Sequence, residues 1–162
     1  MDGKLTTITL RVNGRPRTLA VEPGRTLASI LRDDLGLTGT KVACDEGACG
    51  SCTVLLDGVP VPSCMLLAVE QDGKAVETIE GLARGDALHP LQEAWLEEYG
   101  AQCGFCSPGM ILCARALLDR NPHPSRAEIR EALSGNICIC GNYEHIVSAV
   151  ENAARRMAGE KA

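Results

Sequence analysis

Along residues 4–12 apolar and polar side chains roughly alternate, with Leu5, Ile8, Leu10 and Val12 as the apolar set, which predicts a β-strand with one buried face. Asn13-Gly14 comes next, a pair that tolerates positive φ and favours a tight hairpin. Residues 18–21 are the expected returning strand, broken by Pro23-Gly24. Thr26 reads as the N-cap of an amphipathic helix over 27–34, with Gly36 as its stop. Residues 53–56 form a third strand, turned by Asp57-Gly58 into 59–61, and 75–79 can supply a last one. A hairpin, a helix across it and further short strands predict a small α+β domain ending near Glu80.

The pattern then changes from period two to period 3.6. Residues 88–98 place Leu91, Ala94 and Trp95 on one helical side, and Gly100 ends that helix. Ser107-Pro108 reads as an N-cap with proline at the first helical position, opening a helix to about Arg120 whose stripe is Met110, Cys113, Ala114, Leu117 and Leu118. Ser125 and Glu128 have capping-box spacing for a third helix that Gly135 closes. Ile146, Ala149, Val150, Ala153, Ala154 and Met157 mark a fourth. Four short helices with short connections predict a compact bundle. The reading is therefore two domains, 1–80 and 81–162, with a polar boundary stretch over 80–87.

Composition narrows the function classes. The 162 residues carry a net charge of −5, which argues against a nucleic-acid surface. Trp95, Tyr99, Phe105 and Tyr143 are the whole aromatic set, so the first 94 residues offer no platform for stacking bases. Residues 1–9 show no apolar h-region, twin arginine or cleavage pattern, and no apolar run approaches the roughly 20 residues of a membrane span. A cytoplasmic, reducing setting is the expectation, and there nine cysteines point to metal or cluster ligation rather than disulfides.

Cys44, Cys49, Cys52 and Cys64 follow C-x4-C-x2-C with a distant fourth cysteine, the plant-type [2Fe–2S] pattern. Three thiolates must converge on a small cluster, so the chain has to coil tightly and aim peptide N–H groups at sulfur. Gly47, Ala48, Gly50 and Ser51 have the small side chains this needs. The hairpin over 53–61 brings the chain back to Cys64. A second set, Cys103, Cys106, Cys138 and Cys140, joins C-x2-C to C-x-C across 31 intervening residues. Each pair precedes a predicted helix, whose N-terminus suits an anionic cluster, and Phe105 and Tyr143 are placed to exclude water. Zinc also takes four thiolates and stays open as the rival, although C-x4-C-x2-C and C-x-C depart from repeated zinc knuckles. Cys113, on an apolar helical stripe, reads as a small core residue.

Three stretches make the chain recognisable: Gly39-Thr40-Lys41-Val42-Ala43-Cys44 through Cys52-Thr53-Val54, Gln102-Cys103-Gly104-Phe105-Cys106-Ser107-Pro108-Gly109-Met110, and Gly135-Asn136-Ile137-Cys138-Ile139-Cys140. Together they resemble the iron–sulfur (small) subunit of the molybdenum hydroxylases, the xanthine dehydrogenase, aldehyde oxidoreductase and carbon monoxide dehydrogenase family. The resemblance implies an α+β chain, with an N-terminal β-grasp ferredoxin-like domain and a C-terminal four-helix [2Fe–2S] domain. It also implies two [2Fe–2S] clusters and a non-catalytic, electron-transfer role in an oxidoreductase. The implied partners are a molybdopterin-binding large subunit and an FAD-binding medium subunit, in a dimer of heterotrimers. Electrons would run from molybdenum through the second cluster, then the first, to FAD, or in reverse in reductases of the family. Gln102 and Cys140 would lie against the pterin.

One stretch departs from the family pattern. Arginine usually stands between the last two cysteines, with Thr-Gly after them; this chain has Ile139 and Gly141-Asn142. A cation there would stabilise the reduced cluster, so isoleucine is expected to lower its potential. The remaining candidates are bland. His89, His123 and His145 are scattered, the first two beside prolines at helix starts where capping is usual. Asp33-Asp34 and Glu97-Glu98 read as solvated helix faces, and no catalytic triad or phosphate loop is present. A free-standing ferredoxin and a zinc interaction module are the alternative functions. The long helical half, which a simple carrier does not need, argues against the ferredoxin.

Overall fold

The computed structural model describes residues 5–159; Lys4, where the alternating pattern begins, lies outside them. Strands β1 (Thr6–Val12) and β2 (Arg15–Val21) pair antiparallel through a two-residue turn that sets Val12 opposite Arg15. Asn13 and Gly14 both take positive φ, as such a turn requires. That turn makes β2 longer than its apolar pattern announces. β3 (Thr53–Leu56) and β4 (Val59–Pro62) form the second hairpin. β5 (Ala75–Glu77) lies between the two, parallel to β1 and antiparallel to β3, giving the order β2-β1-β5-β3-β4. β5 stops short of Ile79 because the next peptide N–H, that of Thr78, goes to the Asn13 side chain at 2.9 Å instead of a strand neighbour.

The expected helix over 27–34 is real but irregular. Thr26 caps it, its hydroxyl accepting from the Ser29 N–H at 3.2 Å. After one α-turn, α1 (Leu27–Ser29), the chain widens into a π-turn over Ile30–Asp34. Leu27, Ile30 and Leu31 are buried there against the sheet residues Ile8, Leu10, Val12, Val54 and Val76, while Ala28 packs with Cys52 and Cys64. This is the β-grasp arrangement, built on aliphatics alone.

The helices that follow are α2 (Pro90–Glu97), α3 (Ser107–Arg120), α4 (Arg126–Ala132) and α5 (Tyr143–Met157). Ser125 and Glu128 form the expected capping box, and His89 and Gln92 form another at the start of α2. One expectation shifts by a residue. Cys106, not Ser107, is the N-cap of α3. The Ser107 hydroxyl is taken up by the buried Trp95 Nε1–H at 3.1 Å, which must find an acceptor. α4 closes at Leu133, two residues before Gly135. Arg126 pairs with Glu144 and Glu151, and Arg130 with Glu144, tying α4 to α5 at the surface. The helical core also takes in Leu55 from β3, so one sheet residue packs with the bundle.

Candidate metal centres

Each set of cysteines is gathered by its own loop, and all nine thiols are free. In the first loop the Cys49 N–H points at Cys44 Sγ, 3.4 Å away. Burial pushes the Cys49 thiol up, but N–H groups of Ser51 and Cys44 outweigh it and draw its pKa down to about 7. Cys64 arrives after β4 to lie against Cys52. Burial and that neighbouring thiol push Cys64 up to about 11, against the Gly47 N–H aimed at its sulfur. A side chain at Gly47 would run into Met65 Cγ at 2.8 Å, so the small residue is part of the cradle.

In the second set Cys106 and Cys138 are buried and face one another, and burial with that contact pushes Cys106 up to about 12. Cys103 and Cys140 pair at the outer end, where Cys103 is exposed. The Phe105 N–H and the Cys140 thiol hold Cys103 below the usual thiol range. The sulfurs thus come two by two: Cys44 with Cys49, Cys52 with Cys64, Cys103 with Cys140, and Cys106 with Cys138. Among the described residues no three His, Cys, Asp or Glu side chains gather around a single ion. Paired thiols with N–H groups turned toward sulfur fit a two-iron cluster, in which each iron takes two cysteines.

The other expectations sort themselves by location. Gln102 stands at the exposed end of the second set, its amide donating to Asn142 Oδ1 at 3.5 Å. Cys113 is buried in the helical core. His89 caps α2, His123 sits in a loop, and His145 meets the Glu98 carbonyl. Phe105 and Tyr143 are less covering than expected. Both rings leave part of their surface to solvent, and the Tyr143 hydroxyl is spent on accepting the Cys138 N–H at 2.8 Å.

The sequence reading missed the seam between the two loops. The Ile137 N–H donates to the Cys49 carbonyl at 2.9 Å, one residue from Cys138. The buried Asn136 amide donates to the Gly50 carbonyl at 2.9 Å, which also accepts the Thr53 hydroxyl at 2.7 Å and the Thr53 N–H at 3.1 Å. Gly109 sits so close that an added Cβ would come 2.5 Å from that carbonyl. The two cysteine loops are therefore in direct hydrogen-bonded contact. Beside the seam is a crevice of about 200 Å³, bounded by Cys49, Cys103, Cys106, Phe105, Ile137 and Ile139.

Two family models match, a "2Fe-2S iron-sulfur cluster binding domain" over residues 10–83 and a "[2Fe-2S] binding domain" over 78–151. The chain is 50% identical to the nicotine 6-hydroxylase small subunit of Paenarthrobacter nicotinovorans, over 90% of this chain and 88% of that one. It is 47% identical to the nicotinate dehydrogenase small FeS subunit of Eubacterium barkeri, over 94% and 97%. Its fold superposes on a chain of quinoline 2-oxidoreductase from Pseudomonas putida 86 with a TM-score of 0.91 and 46% identity, covering 98% of this chain and 99% of that one.

Proposed function

Because the chain belongs to the iron–sulfur subunits of the molybdenum hydroxylases, we propose that it relays electrons between a molybdopterin subunit and an FAD subunit of one cytoplasmic complex. It is an electron-transfer subunit with two [2Fe–2S] domains. Cys44, Cys49, Cys52 and Cys64 would hold the first cluster, and Cys103, Cys106, Cys138 and Cys140 the second. Bound, the clusters supply one-electron redox chemistry. The protein's own part is to position them, shield them and present their edges. Residues 1–80 serve as the ferredoxin-like unit and 81–162 as the helical unit. The complex is a dimer of such heterotrimers.

The observation that carries this reading is the seam. A relay needs its two carriers held at a fixed separation, and the hydrogen bond from Ile137 to Cys49 joins the loops that would hold them. The outer end of the second set, where Cys140 lies beside the exposed Cys103 and Gln102 stands next to them, is the side proposed to face the pterin. Phe105, Ile137 and Ile139 surround that end with exposed apolar surface, which a docked subunit would cover. Purification at native expression should yield this chain with molybdenum and FAD in the same fraction, and two resolvable electron paramagnetic resonance signals on reduction. Recovery as a monomer without either cofactor nearby would favour the free-standing ferredoxin.

Ile139 is 93% exposed. An arginine there would carry its charge into water, so its effect on the second cluster is screened. Ile139→Arg is expected to raise that cluster's potential by tens of millivolts, on the order of 1 kcal/mol for one electron. The shift should shrink as salt is added to the separated subunit. A redox titration showing no change at low salt, or a fall, would reject the charge argument.

A further inference from the structure

A cavity of about 460 Å³ lies between the start of α2 and the side of α3, and no cysteine lines it. His89 and Arg115 meet side by side on its wall. Nδ1 of His89 accepts the Leu91 N–H at 3.2 Å, which leaves the ring proton on Nε2. Nη1 of Arg115, which can only donate, stands 3.5 Å from that Nε2. Two donors cannot satisfy each other, so this approach is not a hydrogen bond. It is a pair of N–H groups in want of one acceptor.

The surroundings hold that arrangement in place. Nε of Arg115 donates to both Asp119 oxygens at 2.8 and 2.9 Å, which fixes the guanidinium on its helix. His89 is anchored as the cap of α2. Burial and the neighbouring Arg115 keep its pKa below the usual histidine range, so the ring stays neutral. Arg84 and Glu77 complete the charged wall, with Leu82 and Leu88 as apolar floor.

We propose that this cavity binds a carboxylate, with one oxygen accepting from both His89 Nε2 and Arg115 Nη1. An acceptor about 2.9 Å from each nitrogen fits between two donors at this separation. Arg84 adds attraction, while Glu77 on the same wall disfavours a doubly charged oxyanion such as phosphate. The carboxylate is either a small free acid or an aspartate or glutamate of another subunit. The partner arm of this proposal rests on the assembly proposed above, and the free-acid arm does not.

The test uses the assembled complex in three forms, wild type, His89→Asn and Arg115→Met. Asparagine keeps a helix-capping oxygen but lacks the Nε2 donor. Melting is followed in acetate and in chloride at equal ionic strength, and the affinity of this chain for its partners is measured alongside. For a free acid, acetate raises the melting temperature of the wild type and of neither variant. For a partner's carboxylate, acetate has no effect on the wild-type complex, and both variants weaken subunit affinity by about tenfold or more. The proposal is overturned if acetate and chloride melts coincide while affinity is unchanged, or if an acetate effect persists in both variants. Weakened affinity accompanied by a lower melting point of the separated subunit in chloride would mark a purely structural role and overturn it as well.

Discussion

Gly50→Ala is expected to destabilise the chain by roughly 3 kcal/mol or more, and in the assembled protein to slow exchange between the two clusters. Two costs add at this position. Gly50 holds φ at +68°, which an L side chain adopts only with about 1–2 kcal/mol of strain. The new Cβ would also collide with the Gly135 carbonyl and come 2.6 Å from the Asn136 amide nitrogen. The carbonyl is backbone and cannot swing aside, so the two cysteine loops must part. Gly58→Ala is the matched control. Its φ is +81°, yet a Cβ there meets nothing within 4 Å, so only the backbone strain is paid. Thermal melts of the two variants should differ by several degrees, at about 2–4 °C per kcal/mol for a chain of this size. Equal losses would mean that the seam contributes nothing beyond strain.

Cysteine replacement should remove one cluster at a time. Cys64→Ser is expected to abolish the first electron paramagnetic resonance signal and spare the second, and Cys138→Ser the reverse, because each sulfur pairs only within its own set. If the clusters act in series, either change should take electron delivery to the flavin to background. Cys113→Ser should keep both signals. That thiol lies in the helical core beside Thr53 and Asn136, whose side chains can partner a hydroxyl. Loss of a cluster in Cys113→Ser would give that residue the ligand role that the geometry withholds.

Much of the architecture could be read from local pattern. Capping residues such as Thr26 and Ser125 act on the few peptides beside them, and the Asn13-Gly14 turn fixes the register of its own hairpin. The cysteine spacings likewise announced two gathered sets. What could not be read depends on partners distant in sequence. Ser107 looked like a helix cap because nothing local reveals that Trp95 claims its hydroxyl. The π-turn after Ser29 arises from packing against a sheet, not from the composition of residues 30–34. Asn136 carried a faint signal: an amide between a glycine and an isoleucine, two residues before a cysteine, must find a partner if buried. Its partner, the Gly50 carbonyl, lies 86 residues away, and no periodicity points there.

The contact of Gly50 with Gly109 and Asn136 has a consequence for modularity. The chain looks like two interchangeable cassettes, yet each presents to the other a surface that tolerates no added atom. A chimera joining the front of one relative to the back of another keeps the join only if both sides bring these matching residues. A single methyl group on either side would be enough to disconnect two otherwise well-folded parts. Gly109, whose own backbone asks for no glycine, is thus held small chiefly by a carbonyl that the other half supplies.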